Sequence, residues 1–147
     1  MRKLLLPISF IYAFVLFIRH KLYDWGILKS KSFNIPNICV GNLNLGGTGK
    51  TPHIEYLVRL LSDEYKIAVL SRGYGRKTKG YILANDSHSH NDIGDEPLQY
   101  HKKFNNIIVA VDEDRCEGVT KLLKEENPPQ LILLDDAYQH RKLKAGL

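Results

Sequence analysis

The sequence predicts an α/β fold, a mostly parallel sheet flanked by helices and preceded by an N-terminal apolar helix. Short apolar runs alternate along the chain with segments of helical period, the pattern of strands joined by crossover helices. Each run is followed at once by a glycine-rich or charged motif, as expected where ligands gather at the carboxyl ends of parallel strands. A length of 147 residues, 44% hydrophobic and 25% charged, is ordinary composition for one domain with a real core.

Residues 1–28 form the first unit. From Leu4 to Ile18 run fifteen uncharged residues, preceded by Arg2 and Lys3 and followed by Arg19, His20 and Lys21. As a helix this run is roughly 22 Å long, short of the ~30 Å hydrocarbon core of a bilayer. A cleaved signal peptide would end in small residues, and this run ends in Arg-His-Lys. The better reading is a helix lying in the membrane interface, its basic flanks at lipid phosphates and Tyr23 and Trp25 at headgroup depth. Pro7 suits the first turn.

Residues 29–147 form the second unit. After the polar link Lys29 to Asn37, Ile38 to Gly41 reads as the first strand. Ile54, Leu57, Val58 and Leu61 mark one face of a helix starting near Gly49. Ile67 to Leu70 is a buried strand and Tyr81 to Ala84 a shorter one. Asn85 to Asp92, rich in Asn, Asp, Ser and His, reads as a polar surface loop. A helix starts near Asp95 with Pro97 in its first turn, Ile107 to Val111 is a strand, and Val119, Leu122 and Leu123 mark another helix. Leu131 to Leu134 is the last strand.

A formal charge of +5 and a pI near 9.2 suit contact with anions without choosing among nucleotide, nucleic acid and acidic membrane. Cys39 and Cys116 lie far apart and in no Cys-x-x-Cys pattern, so reduced thiols in a cytosolic compartment are expected. His88 and His90 lack partners at ligand spacing and read as loop residues, and His53 and His101 as structural ones.

The motif with the most chemistry is Asn44-Leu45-Gly46-Gly47-Thr48-Gly49-Lys50-Thr51, a phosphate loop in which Asn44 replaces the usual first glycine. Its glycines let backbone N–H groups face a phosphate at a helix N-terminus. Lys50 can then reach the β- and γ-phosphates while the Thr51 hydroxyl ligates Mg²⁺. The fold is thus P-loop NTPase-like. Asp135-Asp136, directly after the last strand, places carboxylates beside that loop to hold the metal or its water shell. Gly94-Asp95-Glu96-Pro97 puts two acids at a helix start, where a dipole-complementing cap is the plainer reading. Ser71-Arg72-Gly73-Tyr74-Gly75-Arg76 continues into Lys77 and Lys79 without an acid and can hold phosphates, or simply be a solvated basic turn. Asp112 to Arg115 can line the same cleft.

Taken together, Gly41-Asn42 with the run Gly46 to Pro52, Ser71 to Arg76, Gly94 to Pro97, Glu113 to Arg115, and Asp135-Asp136-Ala137-Tyr138-Gln139-His140-Arg141 strongly resemble the tetraacyldisaccharide 4′-kinase family, the lipid A 4′-kinases. The resemblance covers essentially the whole chain. It implies transfer of the ATP γ-phosphoryl group to the 4′-hydroxyl of a tetraacylated disaccharide 1-phosphate at the cytoplasmic face of the bacterial inner membrane. ATP and Mg²⁺ are the implied cofactors, the lipid A precursor and the membrane surface the implied partners. No nucleic acid or protein partner is expected. By the same resemblance Lys50, Asp95 and Asp136 are the catalytic candidates, with Asp95 accepting the sugar hydroxyl proton. Thr51, Glu96, Asp135 and Asp136 are the metal candidates, and Arg72, Tyr74, Arg76, Gln139 and His140 the acceptor-binding ones. Ala137 stands where the family usually has glycine. Family members are longer, so the chain is expected to be a nucleotide-binding part without the second lobe, inactive alone. The alternatives are a non-catalytic module binding ATP and membrane, and a P-loop nucleotide hydrolase; a switch GTPase would need an Asn/Thr-Lys-x-Asp motif, which the sequence lacks.

Overall fold

A computed structural model describes residues 6–41, 50–137, 141–144 and 146, with side chains described from residue 14 onward. Helix α1 (Leu6–Asp24) is followed by β1 (Asn37–Val40), α2 (Lys50–Leu61), β2 (Ile67–Ser71), β3 (Ile82–Leu83), α3 (His90–Ile93), α4 (Asp95–Lys103), β4 (Ile108–Val111), α5 (Arg115–Leu122) and β5 (Leu131–Asp135). The five strands make one sheet in the order β1-β5-β2-β4-β3. All pairings are parallel except that of β3 with β4.

Apolar runs rather than alternating ones are what strands buried on both faces require. Along β2, Ile67 and Val69 face one side and Ala68 and Leu70 the other, and β5 repeats the pattern with Leu131, Leu133 against Ile132, Leu134. The first set packs under Ile54 and Val58 of α2 and Tyr100 of α4. The second packs under Cys116, Val119 and Leu122 of α5. The apolar face expected of α2 is the face it buries: Ile54 and Val58 are fully buried, with Leu57 and Leu61 packed at their margin. Buried Glu55 ties α2 to α4, accepting from Gln99 at 3.0 Å and Lys103 at 2.5 Å.

Two expectations are corrected. The third strand is only Ile82–Leu83, paired antiparallel with Val111 and Ala110 of β4, with the Ala84 N–H still donating to the Val109 carbonyl at 2.8 Å. The segment Asn85 to Asp92 is not all loop: its end initiates α3, where Asp92 accepts from the Ser89 N–H (2.8 Å) and hydroxyl (2.6 Å). That reciprocal cap provides an N-terminus that polar composition alone does not reveal. His88 closes the preceding turn by accepting from the Asn85 N–H, and His101 pairs with Asp86 at 2.9 Å.

Helix α1 forms over the apolar run and continues six residues past Ile18 at its basic end, to Asp24. Phe14, Val15 and Phe17 are all more than half exposed, as is Trp25 beyond the helix end. Arg141 docks that end: it bonds the His20 carbonyl (3.0 Å) and Asp24 (2.6 Å) and lies 5.5 Å from the Tyr23 ring centre. No helix among the described residues is long and apolar enough to cross a membrane. Cys39 and Cys116 are free thiols.

Candidate functional site

Parallel register decides which residues meet. Val40, the last residue of β1, pairs with Asp135 of β5, and the Asp136 N–H donates to the Val40 carbonyl at 2.9 Å. On the other side of β5, Leu70 pairs with Leu134, so Ser71 stands level with Asp135; Ser71 in turn pairs with Val111. The carboxyl ends of β1, β5, β2 and β4 therefore share one edge. Lys50 and Thr51, the first residues of α2, start there as well.

Three of the motifs close on one another at that edge. Lys50 Nζ lies 3.0 Å from Asp136 Oδ1. The Thr51 hydroxyl donates to Glu96 Oε1 at 3.0 Å, joining the start of α2 to the start of α4. Asp135 is fully buried between them, and neither of its carboxylate oxygens makes a well-formed hydrogen bond among the described residues, Ser71 lying only near enough to favour the charged form weakly. Burial, and next the neighbouring Glu96 charge, push its pKa up to about 6. Asp95 is exposed beside Glu96, its neighbour in the first turn of α4.

Asp136 holds its place in a left-handed conformation, φ 52°, which a short polar side chain tolerates better than most. Ala137 is buried and not at positive φ, so a side chain costs nothing there where the family usually has glycine.

Residues outside the candidate set complete the edge. Buried Arg115 donates to the carbonyls of Asp112 (2.5 Å) and Asp135 (3.1 Å), bridging the ends of β4 and β5. Burial lowers the pKa of its guanidinium. Tyr100, fully buried, directs its hydroxyl toward Thr51 and the Asp135 charge, and burial raises its pKa. A signal for Tyr100 existed: it stands four residues after Glu96 on a helix, hence on the same face. For Arg115 the signal was the Glu113 to Arg115 motif after the Ile107 strand, which marked the position without revealing that the guanidinium is buried. Asp114 caps α5 by accepting from the Cys116 and Glu117 N–H groups, Asp112 accepts from the Asp114 N–H, and Glu113 turns to the loop after β2.

The basic loop reaches the same edge. Gly73 and Gly94 both lie at positive φ, 70° and 90°; a Cβ on Gly94 would stand 2.8 Å from the Tyr74 carbonyl oxygen, and one on Gly73 2.8 Å from that of Ile93. The two turns are thus in backbone contact, setting Arg72 and Tyr74 beside Asp95. Arg76 instead turns inward, its side chain 3% exposed, bonding Gly80 O and Glu113 at 2.8 Å each. Asn44 to Gly49, Gln139 and His140 lie outside the described residues.

A divalent cation fits this donor set. Thr51, Glu96, Asp135 and Asp136 offer only oxygens, and the two buried oxygens of Asp135 make no well-formed hydrogen bond among the described residues. No group of three or more His, Cys, Asp or Glu side chains gathers into a full cage among the described residues. That suits Mg²⁺, which keeps waters and takes one or two carboxylates together with phosphate oxygens.

Fold and site together define a parallel-sheet α/β domain whose lysine, hydroxyl and carboxylates meet at the carboxyl edge, the class built to bind small ligands there. The chain belongs to the tetraacyldisaccharide-1-P 4′-kinase family, whose model matches residues 1–147. It is 58% identical over 146 residues to the tetraacyldisaccharide 4′-kinase of Bacteroides fragilis, covering 99% of this chain and 39% of that one. With that of Flavobacterium johnsoniae the identity is 56%, covering 99% and 43%. The chain thus spans about two fifths of the length of these relatives. It also superposes on a crystal structure of LpxK from Aquifex aeolicus in complex with ATP, with a TM-score of 0.90 and 41% identity, covering 99% of this chain and 47% of that one.

Proposed function

We propose that this chain is the nucleotide-binding part of an ATP-dependent kinase that phosphorylates the 4′-hydroxyl of a tetraacyldisaccharide 1-phosphate. One observation carries the reading: Lys50, Thr51, Glu96, Asp135 and Asp136 meet on one edge of the sheet, where α2 begins. Membership of a family named for that reaction supports it.

In this reading residues 29–147 are a P-loop NTPase-like nucleotide-binding domain. Asn44 to Thr51 wrap the triphosphate, and Lys50 leaves Asp136 to hold the β- and γ-phosphate oxygens. Thr51, Glu96, Asp135 and Asp136 face the metal. Magnesium, when bound there, neutralises charge on the phosphate oxygens. Asp95 takes the proton of the acceptor hydroxyl; the sugar oxygen forms its bond to the γ-phosphorus as the bond from that phosphorus to the β–γ bridging oxygen breaks, releasing ADP. Such catalysis is positioning and charge stabilisation. Arg72, Tyr74, Gln139 and His140 serve the acceptor, with Arg76 bracing the loop that carries Arg72 and Tyr74.

Residues 1–28 are the membrane-associated unit. The exposed apolar side chains of α1 and the cations at its end suit an interface position at the cytoplasmic face of a bacterial inner membrane. That position brings the site to acceptors whose acyl chains lie in the bilayer.

Because the chain covers two fifths of its relatives, residues 1–147 alone are expected to bind ATP and membrane without transferring phosphate. The test incubates this chain, and the chain extended to the length of its relatives, with γ-labelled ATP and the disaccharide 1-phosphate. Label at the 4′ position with the longer form only is the expected result. Label with neither form would refute the reaction.

A further inference from the structure

Helices α2 and α4 both begin at the carboxyl edge of the sheet, and successive turns of one are bonded to the other. On α2 the residues are Thr51, Glu55 and Arg59, four apart and so on one face. On α4 they are Glu96, Gln99 and Lys103, three and four apart, with Phe104 at the helix end. The Thr51 hydroxyl donates to Glu96 at 3.0 Å. One turn further, Glu55 Oε1 accepts from Gln99 at 3.0 Å and Oε2 from Lys103 at 2.5 Å. Arg59 donates to the same Oε2 at 3.3 Å, its guanidinium 5.6 Å from the centre of the Phe104 ring. Glu55 is 7% exposed, a rare place for a carboxylate. Stability does not explain it, because apolar side chains in place of a buried ion pair are often neutral or stabilising. Ile54, Val58 and Tyr100 already fasten both helices to the sheet. Apolar contact is non-directional and leaves one helix free to slide past the other. A carboxylate bonded from two positions of the facing helix fixes that register.

We propose that Glu55 and Lys103 are positioning residues, whose bond between α2 and α4 sets the spacing of the Thr51 hydroxyl and the Glu96 carboxylate for a shared divalent cation. The inference rests on the metal site proposed above. The 3.0 Å between those two oxygens is close to the ~3 Å edge of an octahedron of oxygens bound at about 2.1 Å, the geometry Mg²⁺ demands. Thr51 and Glu96 stand on different helices, so their spacing is a matter of register. A slip of one residue along a helix axis is about 1.5 Å, enough to spoil that edge. The Glu55 bonds lie one turn from the pair and hold the two helices against such a slip.

The test compares the chain extended to the length of its relatives, as wild type and as the double variant Glu55→Met, Lys103→Met. Affinity for ATP is measured by calorimetry with Mg²⁺ and again with the metal chelated, and unfolding by urea is followed in metal-free buffer. ATP alone meets the phosphate loop and the start of α2, whereas the metal joins α2 to α4. The variant is therefore expected to bind Mg-ATP at least about tenfold more weakly, since a displacement of about 1 Å can cost that and more. It should bind ATP without metal as wild type does and unfold no more readily. Lys103 is 41% exposed, so Lys103→Met alone carries the same comparison if the double variant fails to fold. An unchanged affinity for Mg-ATP, or an equal fall with and without metal, would overturn the assignment. So would a loss of stability as large as the loss of affinity, which would make the bond structural. Wild type whose ATP affinity ignores Mg²⁺ would instead refute the proposed metal site, and this inference with it.

Discussion

Lys50 Nζ rests 3.0 Å from Asp136 Oδ1, so the lysine of the phosphate loop and the second acid of the last strand neutralise each other across the β1–β5 pair. A phosphate chain arriving at α2 would exchange that partner for its own oxygens, freeing Asp136 for the metal. The ion pair is an arrangement for binding rather than for stability, since both groups are partly exposed, and such pairs contribute about 0–1 kcal/mol.

Lys50→Ala should therefore leave the unfolding free energy within about 1 kcal/mol of wild type. Phosphoryl transfer by the full-length form should fall by a factor on the order of 10²–10³, the usual cost of one preorganised charge donor. Urea titration and labelled-ATP turnover check the two halves. Near-normal turnover with ATP and acceptor both present would remove Lys50 from the mechanism.

The Asp135 carboxyl makes stability pH-dependent in a definite direction. Its folded pKa is raised, from 3.8 to about 6, so the folded state holds the proton more tightly than the unfolded chain. The stabilisation this gives is complete below about pH 4 and is lost as pH rises through about 6, a swing of about 3 kcal/mol at 1.36 per unit. Asp135→Asn should remove that swing. In metal-free buffer the variant should gain on wild type between pH 4 and 7, and equal urea midpoints across that range would show the carboxyl is not desolvated as described.

Gly94→Ala tests the contact between the basic loop and α4. The added methyl would meet the Tyr74 carbonyl at 2.8 Å from a backbone at φ 90°. A loss of about 1–3 kcal/mol is expected from the strain, with acceptor KM rising more than ATP KM because the loop, rather than the Lys50 side of the site, must move. A variant as stable as wild type would show the two turns are not in contact.

Arg115→Met should cost about 2–4 kcal/mol by leaving two buried carbonyls, those of Asp112 and Asp135, without their donor. Arg115→Lys should recover only part of this, since one ammonium cannot reproduce a fork that spans two strands. Unfolding by urea separates the three proteins. Full recovery by lysine would show that charge alone, rather than the fork, is what the position needs.

Much of the fold was legible in the sequence because strands buried on both faces must be apolar throughout. Four such runs were found within a residue or two of β1, β2, β4 and β5, and the face of α2 followed from the spacing of Ile54, Leu57, Val58 and Leu61. The misses have local causes. Ile82–Leu83 is short because just past Ala84 the chain turns at Asn85, which bonds His88 and Ser87 rather than β4. Helix α3 was hidden because its cap is made by Ser89 and Asp92 within a polar stretch. Lys50, Thr51, Glu96, Asp135 and Asp136 were all named from their motifs, and Ser71 and Arg115 stood in motifs without a role, whereas Tyr100 was not named, its significance arising from neighbours distant in sequence.

The sequence by itself determined the set of chemically active side chains and the strands they follow, because residue type and apolar period are local properties. Which of them touch was decided only by tertiary structure. Placing β5 between β1 and β2 sets Asp135 beside Val40, brings Asp136 to Lys50, and buries two carboxylate oxygens that make no well-formed hydrogen bond among the described residues. Strand order depends on crossovers between segments dozens of residues apart, and no short pattern encodes it. The same is true of Arg76 and Arg72, four residues apart on one loop: packing against Glu113 buries the first and leaves the second exposed at the cleft.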